Sequence, residues 1–430
     1  RAVDRPAGAA DVAGLLREAT ANRVKVAARG QGHSIYGRPL VEDGLVLDMG
    51  AFNSIGPIAA DRVTVGAGVT WRDLLDATLK EGLTPPVLIN YLGLSVGGTL
   101  AIGGTGGSSS RHGLQTDHVL ELEVVVADGR SLRCSPSMNR DLFDAVRAGL
   151  GQCGIVTAAT LRLVRAPARV RRHQLLYRDL ASLVADQRRM LHEGRFAQLQ
   201  GAILPGPSGG WRYQLDGAVF HDGTLAADDR RLLDGLVDER SAATVVEASY
   251  RDDALAFDKL RGILTTNGQW SHPQPWLLTF LPASTAEAVA HEMLDELKAA
   301  DLGPFGRVTL YPMSRDAVRT PLMRLPDEAV VFVLNVIRIP ASNDRPAAER
   351  MVAHNRKLYE RIRHRGGGPS PVLEAGPCRP QVTLPVAHRH RQHAHRIEHA
   401  AAIADALVEF PVVRDHALGG RAVVRGRDAD

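Results

Sequence analysis

The residues best suited to chemistry lie in one glycine-broken loop, Arg29-Gly30-Gln31-Gly32-His33-Ser34, directly after the apolar stretch Val24 to Ala28. Glycines behind a strand let the backbone approach an anion closely and aim successive N–H groups at it. Imidazole is a nucleophile at neutral pH, so His33 adds reactivity to a loop that otherwise only binds. The spacing excludes two common nucleotide loops. After Gly30 and Gly32 the next glycine is Gly37, which breaks the dinucleotide-fold spacing, and no GxxxxGK[ST] occurs anywhere. Val96-Gly97-Gly98-Thr99-Leu100 and then Gly149-Leu150-Gly151-Gln152-Cys153-Gly154 follow further along the chain. Separate loops of this kind grip one long cofactor at more than one place.

Those loops need a scaffold. Val12, Leu15, Leu16 and Ala19 recur at a helical period, which predicts a helix from Asp11 to Ala21 with Asp11 as N-cap. Strands are expected at Val24–Ala28, Leu45–Met49 and Arg62–Val65, and a helix opens at Thr70. Residues 82–113 carry more glycine than a regular element tolerates and read as loop throughout. Strands resume over Leu120–Val126, reverse at Asp128-Gly129 in a two-residue hairpin, and return through Ser131–Cys134. Beyond Arg165 the chain alternates strands with longer helices, such as Ala286–Ala299 and the strand Ala329–Ile337. The division expected is a cofactor-binding domain at 1–165, a substrate or cap domain at 166–365 and a C-terminal segment at 366–430.

Composition narrows the class. With 430 residues, 44% hydrophobic and 23% charged, the chain is an ordinary globular protein with room for two to four domains. No stretch of eighteen apolar residues exists, which excludes a spanning helix and a membrane partner of that kind. Cys134, Cys153 and Cys378 form no CxxC and are odd in number, so neither a disulfide framework nor a zinc site is indicated. That usage, with no basic-then-apolar leader ahead of the first helix, points to the cytoplasm, although the chain opens on Arg1 and its natural start is unknown. Only five of the 52 Lys and Arg are Lys, a skew typical of a GC-rich genome. Basic runs such as Arg171-Arg172-His173 are short and without interleaved aromatics, and so read as a solvated face and not as a nucleic-acid surface. Residues 378–430 are unlike the rest, holding six of the sixteen histidines, with eight Arg and no Lys. Divergence accounts for this bias, and a shifted reading frame near the end of a GC-rich gene would give it as well. The alternation of His388, His390, His393 and His395 lacks carboxylates and defines no metal site.

Taken together, the blocks Ala28 to Ser34, Asn90 to Leu100, Arg111-His112-Gly113, Asp141-Leu142-Phe143-Asp144-Ala145-Val146 and Gly149 to Gly154 resemble the FAD-linked oxidases of the vanillyl-alcohol-oxidase (PCMH) type, and most of all the cytokinin dehydrogenases. Weaker likeness continues in His272-Pro273-Gln274-Pro275-Trp276 and Leu310-Tyr311-Pro312 and stops beyond 377. The resemblance implies an α+β fold, a PCMH-type two-subdomain FAD-binding domain plus a substrate domain whose antiparallel sheet is covered by helices. It implies FAD bound covalently through His33, with Ala28, Gly30, Gln31, Gly32 and Ser34 on the pyrophosphate and flavin edge. Arg38, Ser95, Ala101, Thr105 and Val156 would line the cofactor further along, though Arg38 replaces a glutamine and Ala101 a serine of plant members. Some relatives add a second tether through a cysteine in the loop that here reads Tyr91-Leu92-Gly93-Leu94; with no cysteine there, one covalent bond and not two is expected.

The resemblance also implies hydride transfer from a small-molecule amine or alcohol to the flavin, reoxidised by oxygen or another acceptor. Its departure is Asn90, where cytokinin dehydrogenases carry the aspartate that takes the substrate proton. An amide is no general base. Either Asn90 only hydrogen-bonds the substrate, or His112 or Asp117 takes the proton. A tryptophan of plant members is also replaced, by Ala317 and Val318. Two other readings stay open: a carbohydrate or alditol oxidase of the same superfamily, which prefers a polar pocket, and an inert flavin-fold binding protein.

Overall fold

The computed structural model describes residues 2–34, 39–41, 43–207, 209–223, 229–342, 344–365 and 368–369. Arg38 and the atypical segment 378–430, with its histidines, lie outside them.

Strand β1 (Ala2–Asp4) leads into helix α1 (Ala9–Ala21), which buries Val12, Ala13, Leu16 and Ala19. The helix starts behind Gly8, so Asp11 is not its cap but sits in the first turn, accepting from the N–H of Ala7 at 2.9 Å. β2 (Val26–Arg29) and β3 (Leu45–Asp48) complete a parallel sheet of order β1-β3-β2, against which α1 packs through Leu47 and Met49. β4 (Arg62–Gly66) then enters a second sheet, and α2 (Trp71–Thr78) opens where expected, with Thr70 as its cap, Oγ1 accepting from Asp73 N–H.

The glycine-rich stretch is not loop throughout. Besides β5 (Leu83–Thr84) it holds α3 (Val96–Leu100) and α4 (Ser109–His112). Glycine serves here for closeness: a Cβ on Gly97 would stand 2.7 Å from Ala67 Cβ and one on Gly106 only 1.9 Å from the Leu88 carbonyl oxygen. β6 (Val119–Val125) and β7 (Ser131–Cys134) form the expected hairpin, but Val126 N–H donates to Arg130 O, so the loop is the triplet Ala127-Asp128-Gly129, with Gly129 left-handed at φ +81°. After α5 (Arg140–Val146), β8 (Ile155–Arg162) closes the sheet β4-β8-β6-β7, and β9 (Val164–Arg165) pairs with β5. Trp71, Leu74, Leu75, Leu122, Phe143 and Leu161 make the core beneath.

The rest of the chain is built on one large sheet. Its elements are β10 (Arg169–Tyr177), α6 (Leu180–Glu193), β11 (Gln198–Pro205), β12 (Trp211–His221), α7 (Asp229–Leu232), β13 (Thr244–Ser249), α8 (Tyr250–Ala254), α9 (Phe257–Thr266), β14 (Leu277–Pro282), α10 (Ala283–Glu296), β15 (Arg307–Ser314), β16 (Val330–Ile337), α11 (Arg345–His364) and β17 (Gly368–Pro369). The eight strands run in the order β13-β10-β12-β11-β15-β16-β14-β17. Strand alternation gives this sheet two chemically different faces. Leu175, Leu199, Leu215, Val308, Leu310 and Leu334 pack under α6, α10 and α11 in the largest core. The intervening positions, among them Gln174, Gln200, Gln214, Asp216, Thr309 and Asn335, point the other way and are only partly buried. No described helix is long and apolar enough to cross a membrane.

Arg171-Arg172-His173 is a strand and not a solvated face. His173 is fully buried, and Arg172 forks onto Asp253 of α8 with both N···O distances between 2.8 and 2.9 Å while also reaching Gln198. Removing one partner of such a pair strands a desolvated charge, so Asp253→Ala should cost about 3 kcal/mol. Urea unfolding monitored by circular dichroism checks this, and an unmoved midpoint would show the pair to be a surface contact.

Candidate active site

The loop behind β2 is an open strip: Ala28, Gln31, Gly32, His33 and Ser34 are exposed and Gly30 half-buried. Gly32 takes φ +74°, a left-handed conformation that glycine adopts without strain. Across from it lies the start of α3. A Cβ on Gly30 would stand 2.0 Å from Ser95 Oγ, so only glycine lets the two loops meet, and Ser95 is itself buried. Two segments that the sequence expectation assigned to one cofactor are thus in contact.

The wall continues through α3. Ala101 caps that helix, and its carbonyl accepts from Leu150 N–H at 2.8 Å, while Leu100 O accepts from Ala148 N–H at 2.9 Å. Ala148 and Leu150 are held left-handed at φ 55° and 59° by these bonds, backbone strain of the sort that clusters at functional sites. Val156 stands half-buried on β8 opposite Val124. Next to this wall Gly104, at φ +69°, would meet Gln115 Oε1 at 2.2 Å if it bore a Cβ, and that buried oxygen has no hydrogen-bond partner among the described residues. A cradle that excludes side chains and holds an unpaired acceptor fits a long, hydrogen-bonding cofactor such as FAD. Thr105 is hydrogen-bonded with the Tyr311 hydroxyl of β15, which also engages Gln200.

Three aromatic rings, two of which the sequence expectation did not place at the site, gather about His33. Tyr91 and Trp270 have ring centroids 5.2 Å from the imidazole, and Tyr91 lies 5.3 Å from Trp270 and 5.4 Å from Phe257. Phe257 opens α9, and Trp270 precedes the His272-Pro273-Gln274-Pro275-Trp276 block, the one signal that could have marked it. Val318 does not replace the lost tryptophan, being buried with Leu114, Tyr311 and Met323. Burial first, and the Arg261 guanidinium second, hold the His33 imidazole below its usual pKa, so it is neutral at physiological pH.

Asn90 is exposed beside Tyr91. His112 occupies a different neighbourhood: its carbonyl bonds to His118 Nε2 at 2.8 Å, and its ring lies 6.4 Å from that of His118. Asp117, the other proton acceptor considered, is fully engaged. One oxygen accepts from Leu114 N–H at 2.7 Å and the other from Arg319 N–H at 2.9 Å and Thr320 Oγ1 at 2.7 Å, which clamps the loop after β15. Beside Phe257, Asp258 is paired to Arg72 and lies 3.6 Å from Arg261. Cys134 is buried with its thiol pushed up to about 12, and Cys153 is half-buried against the same core, so both behave as small apolar residues. A cavity of about 390 Å³ among Pro205, Ala299, Gly303, Pro340 and Met351 is mostly apolar, and its one carboxylate, Asp344, caps α11.

The comparisons agree with this geometry. Residues 1–135 match the model of the FAD binding domain, and residues 212–368 match that of "Cytokinin dehydrogenase 1, FAD and cytokinin binding". The solved structure of 6-hydroxy-D-nicotine oxidase from Arthrobacter nicotinovorans superposes with a TM-score of 0.64 at 22% identity, over 85% of this chain and 80% of that one, and shows that the fold is the PCMH type. An oxidoreductase, ORF5 in the fasciation locus of Rhodococcoides fascians, is 39% identical over 84% of this chain and 82% of its own. Cytokinin dehydrogenase 10 of Oryza sativa subsp. japonica is 32% identical over 85% of this chain and 75% of its own. The chain belongs to the FAD-dependent oxidoreductases of the cytokinin dehydrogenase family.

Burial also lowers the pKa of His112 and of His118, the latter partly offset by its bond to the His112 carbonyl. Between those lowered values and 6.5 the unfolded chain binds more protons than the folded one at His33, His112 and His118, so stability should rise as pH increases through that window and level off above it. Asp216, raised by burial, acts in the opposite sense, losing its contribution as pH rises. The urea midpoint is expected to be higher at pH 7.5 than at pH 5.5, and the reverse order would overturn the assignment.

Proposed function

We propose that the protein oxidises a small-molecule amine or alcohol by hydride transfer to FAD tethered covalently through His33. The observation that carries this reading is the neutral His33 imidazole placed against the rings of Tyr91 and Trp270, which Phe257 adjoins. FAD supplies, when bound, the two-electron acceptor, with oxygen or another acceptor taking the electrons on. The chain's own residues bind the cofactor and orient the substrate. Gly30, Gln31, Gly32 and Ser34 offer backbone N–H groups to a pyrophosphate, while Ala28, Ser95, Ala101, Thr105 and Val156 shape the wall behind it.

A neutral imidazole is the form able to bond to carbon, because its ring nitrogen lone pair is free. Arg261 supports that form by making protonation costly. The aromatic rings give a flat, apolar surface on which a planar substrate can stack. Asn90 orients the substrate through its amide and leaves proton removal to water, which reaches it from the exposed side. His112, beside His118, takes no proton in this scheme. The partly exposed amides and hydroxyls on the second face of the large sheet favour the polar substrate of an alditol-type oxidase as the second reading.

The acid-precipitated wild-type protein should retain yellow flavin in the pellet and His33→Ala should release it. Flavin freed equally from both proteins would make His33 an ordinary loop residue. If the substrate is an isopentenyl-adenine-like amine, Asn90→Asp restores a general base and should raise the rate of substrate-driven flavin bleaching by about 10²-fold. An unchanged rate in stopped-flow absorbance would count against the amine reading.

A further inference from the structure

On the face of the large sheet turned away from α6, α10 and α11, the side chains of β15 run Arg307, Thr309, Tyr311, Met313, since Val308 and Leu310 belong to the helix-covered core. Tyr311 ties this row to the cofactor wall through Thr105. Thr309 lies opposite Asn335 of β16 on one side and Ala202 of β11 on the other, and Arg307 lies opposite Ile337. At the usual strand rise, Thr309 is about 7 Å and Arg307 about 14 Å along from Tyr311, with Asn335 diagonal to Arg307. The aromatic group lies at the same end of the sheet, because Gln269, next to Trp270, donates to the carbonyl of Pro340 just beyond β16.

Among the described residues none of the side chains of Arg307, Thr309 and Asn335 makes a hydrogen bond, although all three are partly buried, and Asn335 Oδ1 is wholly buried without a partner. Leaving a buried polar group unsatisfied costs about 1–3 kcal/mol, so the buried Asn335 Oδ1, beside the partly buried donors of Arg307 and Thr309, marks a place kept for a ligand. The acidic neighbours are otherwise engaged. Asp253 is held by Arg172, and Asp216 accepts from Gln214 Nε2 at 3.1 Å on both oxygens. Asp216 lends Arg307 a compensating charge without taking its N–H donors, and burial lowers the Arg307 pKa.

We propose that Arg307, Thr309 and Asn335 form a subsite for a carboxylate-bearing substrate. This names a substrate class for the reaction proposed above and rests on it. The planar guanidinium presents paired N–H donors at the spacing of a carboxylate's two oxygens. Thr309 adds a hydroxyl donor, and Asn335 Oδ1 accepts from a hydroxyl or amine on the neighbouring carbon. The arrangement selects an acid carrying such a group, and a neutral analogue leaves the guanidinium without an acceptor.

The test uses FAD-loaded protein, benzoate and its neutral isostere benzamide, with binding followed by calorimetry. Wild type should bind benzoate at least about tenfold more tightly than benzamide. Arg307→Met should abolish that preference and Arg307→Lys should restore part of it. Asn335→Asp, nearly isosteric, places a negative charge beside the subsite and should weaken benzoate alone, which keeps the question open to test if Arg307→Met fails to fold. Equal binding of the two ligands by wild type, or a benzoate affinity unmoved by both substitutions, would overturn the proposal. Binding is measured without turnover, so a wild-type flavin that no amine or alcohol bleaches would sink the oxidase reading and not this result.

Discussion

Segment 103–117 has to fit two bodies at once. On one side it lies against the chain at 87–89, where Gly106 has no space for a side chain and Gln115 Nε2 reaches the Val87 carbonyl at 3.3 Å. On the other it meets the large sheet: Leu199 N–H donates to Gly107 O at 3.1 Å, Thr105 bonds Tyr311, and Asp117 takes the loop at 319–320. These bonds help to fix the separation of the cofactor wall and the sheet. The distance between them is the width of the space in which a reaction can occur, and a small misplacement of reacting groups is expensive in rate.

The large sheet answers a problem that the segment creates. One face can be largely apolar because helices cover it. The other looks toward a site and carries Gln174, Gln200, Gln214, Asp216, Thr309 and Asn335, which would be unfavourable in a closed core. Part of that polarity is neutralised internally, as in the Arg172–Asp253 fork and the Gln214–Asp216 contact. What remains unpaired is confined to one end of the face, beside the aromatic group.

Around His33 the chemistry is set by what is missing as much as by what is present. No carboxylate free of partners stands among the described residues near the imidazole, since Asp258 is tied to Arg72 and Asp117 is a clamp. The charge that acts on it is the cation Arg261, which favours a neutral histidine. A relative with an aspartate at position 90 would have a base at this point. Here position 90 is an exposed amide, which is no general base.

Sequence alone determined the features that depend on local backbone demands. Gly30 and Gly32 with His33, the Thr70 cap, the hairpin glycine at 129 and the amide at 90 were legible because each requirement is met within a few residues. Even so, local rules misplaced details: Gly8 opens α1 ahead of Asp11, the hairpin loop has an extra residue, and two short helices form inside a stretch too rich in glycine to predict them. Only the tertiary structure decided which distant residues share the site. Trp270 reaches His33, and Phe257 reaches Tyr91, because α9 and its following turn are held to α2 by Arg72–Asp258, with Arg251–Asp76 from α8 beside it. Arg172 became an internal ion-pair member, and Asp117 a clamp, through partners far along the chain. Arg307, Thr309 and Asn335 meet through strand register, which follows from long-range pairing between β15 and β16 and leaves no signal in either strand by itself.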